Sequence, residues 1–142
     1  MSRLAKATLA ASILIAAGSI GGNVLAHGDV VPQPVDTTGL EQLGKTWRTV
    51  NPYRGNALAI KIGESAYGQN CARCHGLQGI SGGIAPDLRY LEVGDAGDAW
   101  YASRYDKGAV RDGKVYMPAF GPVLGQEAGW AIRAWLETKH EE

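Results

Sequence analysis

The sequence predicts a small all-α domain with an N-terminal extension, and three observations lead there. The chain has 142 residues, enough for one domain and not two. No segment shows a convincing two-residue alternation of apolar and polar side chains, so strands are not expected. Gln126 to Lys139 (QEAGWAIRAWLETK) sets Trp130, Ala131, Ala134, Trp135 and Thr138 along one helical stripe, with Lys139 near the negative helix end. Twenty glycines are about twice the ordinary share, which points to long turns around something rather than long elements. Fourteen basic side chains balance fourteen acidic ones, and this neutrality argues against nucleic acid as the main partner.

The elements follow in order. Residues 1 to 26 (MSRLAKATLAASILIAAGSIGGNVLA) have the pattern of a Sec-type signal peptide. Arg3 and Lys6 form the positive start, Ala7 to Ile20 the apolar run, and Val24-Leu25-Ala26 the cleavage positions. Cleavage after Ala26 leaves 116 residues with 12 basic and 14 acidic side chains, a mildly acidic protein exported to a bacterial periplasm. An uncleaved anchor is disfavoured, because the apolar run is short and ends in Gly18, Gly21, Gly22 and Asn23. No later segment is apolar enough for stable membrane insertion. Residues 27 to 56 read as the extension and 57 to 142 as the domain proper.

Within the extension, His27 to Thr37 carries Pro32 and Pro34 and reads as an extended arm. Gly39 to Trp47 predicts one short helix. Asn51-Pro52-Tyr53-Arg54-Gly55-Asn56 is turn chemistry around an aromatic. In the domain, Ala57 to Tyr67 predicts a helix with Ile60, Gly63 and Tyr67 on one face. Gly76 to Pro86 is a glycine-rich loop, and Asp87 to Leu91 a single helical turn. Asp95 to Lys107 predicts a helix stopped by Gly108. Asp112 to Pro122 reads as loop, and Gln126 to Lys139 closes the chain as its clearest helix.

Both cysteines lie in Cys71-Ala72-Arg73-Cys74-His75, the attachment pattern of a c-type haem. On a helix end, i and i+3 share a side, so both thiols reach the two vinyl groups of one porphyrin. The histidine at i+4 then falls under the ring and offers a nitrogen to the iron. A disulfide oxidoreductase also uses two cysteines at this spacing but needs a βαβ context absent here. Zinc needs more ligands than the region holds, and a simple disulfide leaves His75 idle. For the second axial ligand, Met117 is the one methionine left after signal removal, followed by the stiff Pro118. A His/Met pair raises the reduction potential. The bland alternative for Met117 is core filling. His27 and His140 are rival donors near the chain ends, and a mature N-terminal His27 has the groups to chelate copper.

Taken in order, Gly63-x-x-x-Tyr67, Cys71-Ala72-Arg73-Cys74-His75, Ala85-Pro86-Asp87-Leu88, Met117-Pro118 and Trp130 to Leu136 resemble a class I c-type cytochrome. The resemblance implies a few helices wrapped around one covalently bound haem c with its iron, held by Cys71, Cys74, His75 and Met117. It implies that Gly63 lies beneath an aromatic of the last helix, Trp135. It also implies that the Pro86 carbonyl accepts the Nδ1–H of His75. Three segments are more specific: His27-Gly28-Asp29-Val30, Asn51 to Asn56, and Ser81 to Leu88. They resemble the periplasmic cytochromes c associated with quinoprotein ethanol dehydrogenases. The tight turn alone also explains Asn51 to Asn56.

The function expected from these features is a one-electron carrier and not an enzyme. Its donor would be a pyrroloquinoline quinone (PQQ) alcohol dehydrogenase and its acceptor a downstream cytochrome or terminal oxidase. The alternatives are a carrier for another periplasmic oxidoreductase, or a ligand-binding haem sensor with an open iron face.

Overall fold

A computed structural model describes residues 31–142. The signal pattern, the cleavage position and His27 to Val30 lie outside the described residues. Helix α1 (Ala57–Asn70) starts where the Asn56 side chain accepts hydrogen bonds from the backbone nitrogens of Leu58 and Ala59, satisfying two otherwise orphaned donors. The single helical turn α2 (Ala72–His75) follows at once and ends at Gly76. Helix α3 (Gly94–Lys107) carries Asp95 in its first turn and Arg104 and Lys107 in its last, matching the helix dipole, and stops at Gly108 as expected. A two-stranded antiparallel hairpin, β1 (Ala109–Arg111) and β2 (Lys114–Met117), precedes α4 (Gly121–Glu137).

Helices α1 and α4 come into backbone contact at Gly63. A Cβ there would overlap the Ala131 carbonyl and crowd the Ile132 nitrogen. The α4 atoms nearest to Gly63 are backbone, one turn before the Trp135 expected above it. Gly63 meets the α4 backbone, and Trp135, one turn on, packs on Tyr67, one turn on from Gly63, with ring centroids 4.5 Å apart and planes tilted by 37°. Helix α4 is buried all round from Ala128 to Leu136, wider than the stripe expected of it. Its first turn, Gly121 to Leu124, precedes a break at Gly125 (φ 78°, ψ 171°).

Two further expectations fail for identifiable reasons. No helix forms over Gly39 to Trp47, because α4 side chains take up that segment's backbone groups. Leu43 N donates to Glu127 at 2.8 Å and Arg48 N to Gln126 Oε1 at 3.0 Å, while the Gln126 amide donates to the Gly44 carbonyl at 2.7 Å. Leu40 and Leu43 enter the core, and Trp47 meets Tyr105 and Trp130 edge-on. The loop expected from Asp112 instead contains strand β2. Asp112 (φ 49°) and Gly113 (φ 73°) form a two-residue turn whose twist matches a hairpin.

The Asn51 to Asn56 turn is bound into the fold. Tyr53 is buried, and its hydroxyl donates to the Glu41 carbonyl. Burial, reinforced by Glu127 and Glu41, pushes the phenol up to about 12. Arg54 reaches Asp95 and Asp98 at 2.6 Å each and Glu137 at 3.1 Å. Asp98, fully buried, also accepts from Asn51 N at 2.7 Å and from Arg133 Nε at 3.0 Å. Arg133 is the one charged member of the buried α4 run, and its Nη2 donates to the Glu92 carbonyl.

Candidate functional site

Helix α1 delivers the chain to the cysteine motif. Cys71 caps α1 by donating its N–H to the Tyr67 carbonyl, and the same residue begins the turn that carries Cys74 and His75. The His75 N–H and the Cys74 N–H both return to the Cys71 carbonyl, at 3.0 and 3.1 Å, so the three side chains share one wound turn. The two cysteines are not joined in a disulfide. Cys71 packs against the hydrophobic core. Burial, with Cys74 adding to it, pushes its thiol up to about 12. The oxidoreductase alternative needs a βαβ context, and the strands among the described residues form one two-stranded antiparallel hairpin.

The turn is held from both sides. Tyr67 reaches past it to donate its hydroxyl hydrogen to the Gly76 carbonyl at 2.7 Å. The Tyr67 phenol is shifted upward, first by burial. Across the loop, the Pro86 carbonyl lies 2.8 Å from His75 Nδ1, as the resemblance implied. With Nδ1 engaged as a donor, Nε2 keeps its lone pair for a metal.

Sequence reasoning did not find what holds Pro86. Ser81 Oγ donates to the Ala85 carbonyl at 2.5 Å and accepts from Gly83 N at 3.0 Å. The Asp87 carboxylate accepts from Ser81 N and Arg89 N and pairs with the Arg89 guanidinium at 2.9 Å. Arg89 holds that carboxyl below the usual range. Arg89 in turn meets Glu141 near the C-terminus, which straps the loop to the end of the chain. Ser and Asp six residues apart around glycines are the only signal a reader would have had.

Met117 ends β2, is half-buried and packs against the core. Gly108 lies so close beneath the Met117 carbonyl that a Cβ would overlap it. His140 is exposed at the chain end, and His27 lies outside the described residues. Among the described residues no cluster of three His, Cys, Asp or Glu side chains could hold a metal ion. Two thiols and one oriented imidazole on a single turn fit a porphyrin.

Residues 58–136 match the family model described as cytochrome c oxidase, cbb3-type, subunit III. The chain is 59% identical over 133 residues to cytochrome c550 of Pseudomonas aeruginosa, covering 90% of this chain and 92% of that protein. It is 31% identical over 98 residues to quinohemoprotein alcohol dehydrogenase ADH IIB of Pseudomonas putida, covering 69% of this chain and 14% of that longer protein. No solved structure matches the chain. A wound Cys-x-x-Cys-His turn beneath an α1–α4 crossing, together with likeness to a cytochrome c550 along nine-tenths of the sequence, leaves one conclusion: the chain belongs to the class I c-type cytochromes, electron carriers that bind haem c and its iron covalently.

Proposed function

We propose that this cytochrome is a periplasmic one-electron carrier that takes electrons from a PQQ-dependent alcohol dehydrogenase and passes them to a downstream cytochrome or terminal oxidase. The observation that carries the site is the hydrogen bond between His75 Nδ1 and Pro86, which leaves Nε2 for the iron. Cys71 and Cys74 would hold the haem by thioether bonds, and His75 and Met117 would be the axial ligands. The haem supplies the reversible one-electron chemistry.

The chain's own residues position and tune that chemistry. Pro86 fixes the ring orientation of His75 and strengthens it as a donor. Met117 offers a soft thioether that favours the reduced iron and raises the potential. Val110, Tyr116 and the loop before Pro86 lie near these ligands in sequence, so transfer belongs at that edge. Alcohol as the electron source is supported by the segments resembling cytochromes of ethanol dehydrogenase systems. It is also supported by the likeness to part of a quinohemoprotein alcohol dehydrogenase. The Asn51 to Asn56 segment adds less, because the core contacts of Tyr53 and the ion pairs of Arg54 already explain it. A two-electron quinone would discharge through two successive encounters with a single-haem carrier.

The test is stopped-flow mixing of oxidised, haem-loaded protein with alcohol-reduced dehydrogenase from the same organism. Haem reduction should outpace that of an unrelated cytochrome of similar potential. Equal rates would reject this donor and leave the carrier assignment standing.

A further inference from the structure

Pro86 orients His75 only as firmly as its own carbonyl is held, and the chain around it leaves that carbonyl little freedom. Proline fixes its own φ, and the Ala85–Pro86 peptide is planar. With the Ala85 carbonyl held, rotation about the Pro86 Cα–C bond is what remains to swing the Pro86 carbonyl. Ser81 closes both sides of that bond. Its Oγ donates to the Ala85 carbonyl at 2.5 Å, and its N–H donates to the Asp87 carboxylate at 3.1 Å. The same carboxylate accepts from Arg89 N at 3.0 Å. One residue thus grips both chain neighbours of Pro86. Proline has no N–H with which to anchor itself, so anchoring falls to those neighbours.

A second path fixes Ser81 relative to His75. Gly76, the residue after His75, has φ 77° and lies so close to the Ile80 carbonyl that a Cβ would overlap it. Ile80 N donates back to the Leu77 carbonyl at 3.1 Å. The chain therefore closes a ring. It runs from His75 and Gly76 to Ile80 and Ser81, across to Ala85 and Asp87, and through the Pro86 carbonyl back to His75 Nδ1 at 2.8 Å. The Ser81 hydroxyl sits where this ring turns back. Gly83 N donates into its oxygen at 3.0 Å, which leaves the hydroxyl hydrogen for the Ala85 carbonyl.

We propose that Ser81 is a positioning residue for electron transfer: through Ala85 and Pro86 it strengthens the hydrogen bond at His75 Nδ1 and so lowers the reduction potential. This rests on His75 being an iron ligand. A well-aimed acceptor draws the Nδ1 proton outward, leaves the ring richer in electrons and favours the oxidised iron. A thioether ligand such as Met117 shifts the potential upward, so Ser81 works against it from the other side of the iron.

In reduced, haem-loaded protein, nuclear magnetic resonance reads the exchange of the Nδ1 proton with water, and voltammetry reads the potential. Ser81→Ala should speed that exchange about tenfold, the scale of one lost hydrogen bond, and shift the potential upward. Ser81→Thr keeps the hydroxyl and should restore both. A Ser81→Ala protein that unfolds in less urea yet keeps its exchange rate and potential overturns the proposal, since the hydroxyl then serves stability alone. A potential that falls overturns it too.

The unaltered protein supplies a test that needs no variant. Its Nδ1 proton should exchange about tenfold more slowly than in a haem peptide made of residues 71–75 alone. Equal exchange overturns the proposal even where Ser81→Ala takes up no haem. Failure of His75 ligation has a different signature. The porphyrin ring current moves the ring-carbon protons of an iron-bound imidazole far upfield. Ring protons at ordinary positions in the unaltered protein defeat His75 as a ligand, and the role of Ser81 with it. Shifted ring protons, with an exchange rate and a potential that Ser81→Ala leaves unmoved, defeat the role of Ser81 alone.

Discussion

His75 has two ring nitrogens, and Pro86 engages one of them. The other is left free for the proposed bond to iron, so single residues here have readable effects. Met117→Ala should abolish the near-infrared sulfur-to-iron band, lower the reduction potential and open the iron to carbon monoxide; an unchanged spectrum would refute methionine ligation. Asp87 acts one step behind His75. Its carboxyl is held low in the folded state, chiefly by Arg89. A depressed folded pKa stabilises the protein fully above the ordinary aspartate value, about 3.9, and ceases to do so as pH falls through the folded value. Asp87→Asn should therefore unfold in less urea than the unaltered protein at neutral pH, and that gap should close as the solution is acidified below about pH 4. A gap that persists unchanged into strong acid would mean that the carboxylate's charge is not what matters. The thiols and His75 were legible in the sequence because their spacing is the attachment pattern of a c-type haem. The loop bonds of Ser81 and Asp87 were not, because they close only when the loop folds back on itself.

At the scale of elements, the α1–α4 crossing depends on Gly63. Gly63→Val should cost at least about 1–3 kcal/mol in a denaturant titration, the usual range for overpacking, because the obstacle is backbone that cannot turn aside. A loss of a few tenths would mean that the helices separate freely. Asp98 ties three elements together. Asp98→Ala should cost about 3–5 kcal/mol, because it leaves buried Arg133 with only the longer, 3.5 Å pair to Glu137. Helices α1, α3 and α4 were legible from spacing, caps and Gly108. The hairpin was missed although Asp112-Gly113 is strong two-residue turn chemistry, because its strands are too short to show a period. The segment before α1 was misjudged because Gln126 and Glu127, about eighty residues away, decide its backbone. The charge of Arg133 likewise becomes intelligible only once Asp98 is beside it.

For the whole molecule, the haem is expected to behave as part of the covalent chain. Acid-acetone extraction should leave the colour with the protein, and its mass should exceed that of the bare polypeptide by one haem. Loss of colour would disprove the thioethers at Cys71 and Cys74. The close approach of Gly63 to Ala131 also sets the order of the molecule's assembly. The chain leaves the ribosome, or any export channel, with its N-terminus first. Helix α1 and the two thiols therefore emerge long before the segment that covers them, since Ala131 follows Gly63 by sixty-eight residues. Until α4 arrives, α1 lacks the partner that buries it, and a helix of this length is marginal alone. During that interval Cys71 lies in an open chain, accessible to an attachment enzyme and to stray oxidation alike. Burial of α1 against α4 therefore waits on the last helix to be made, which follows every other element in the chain.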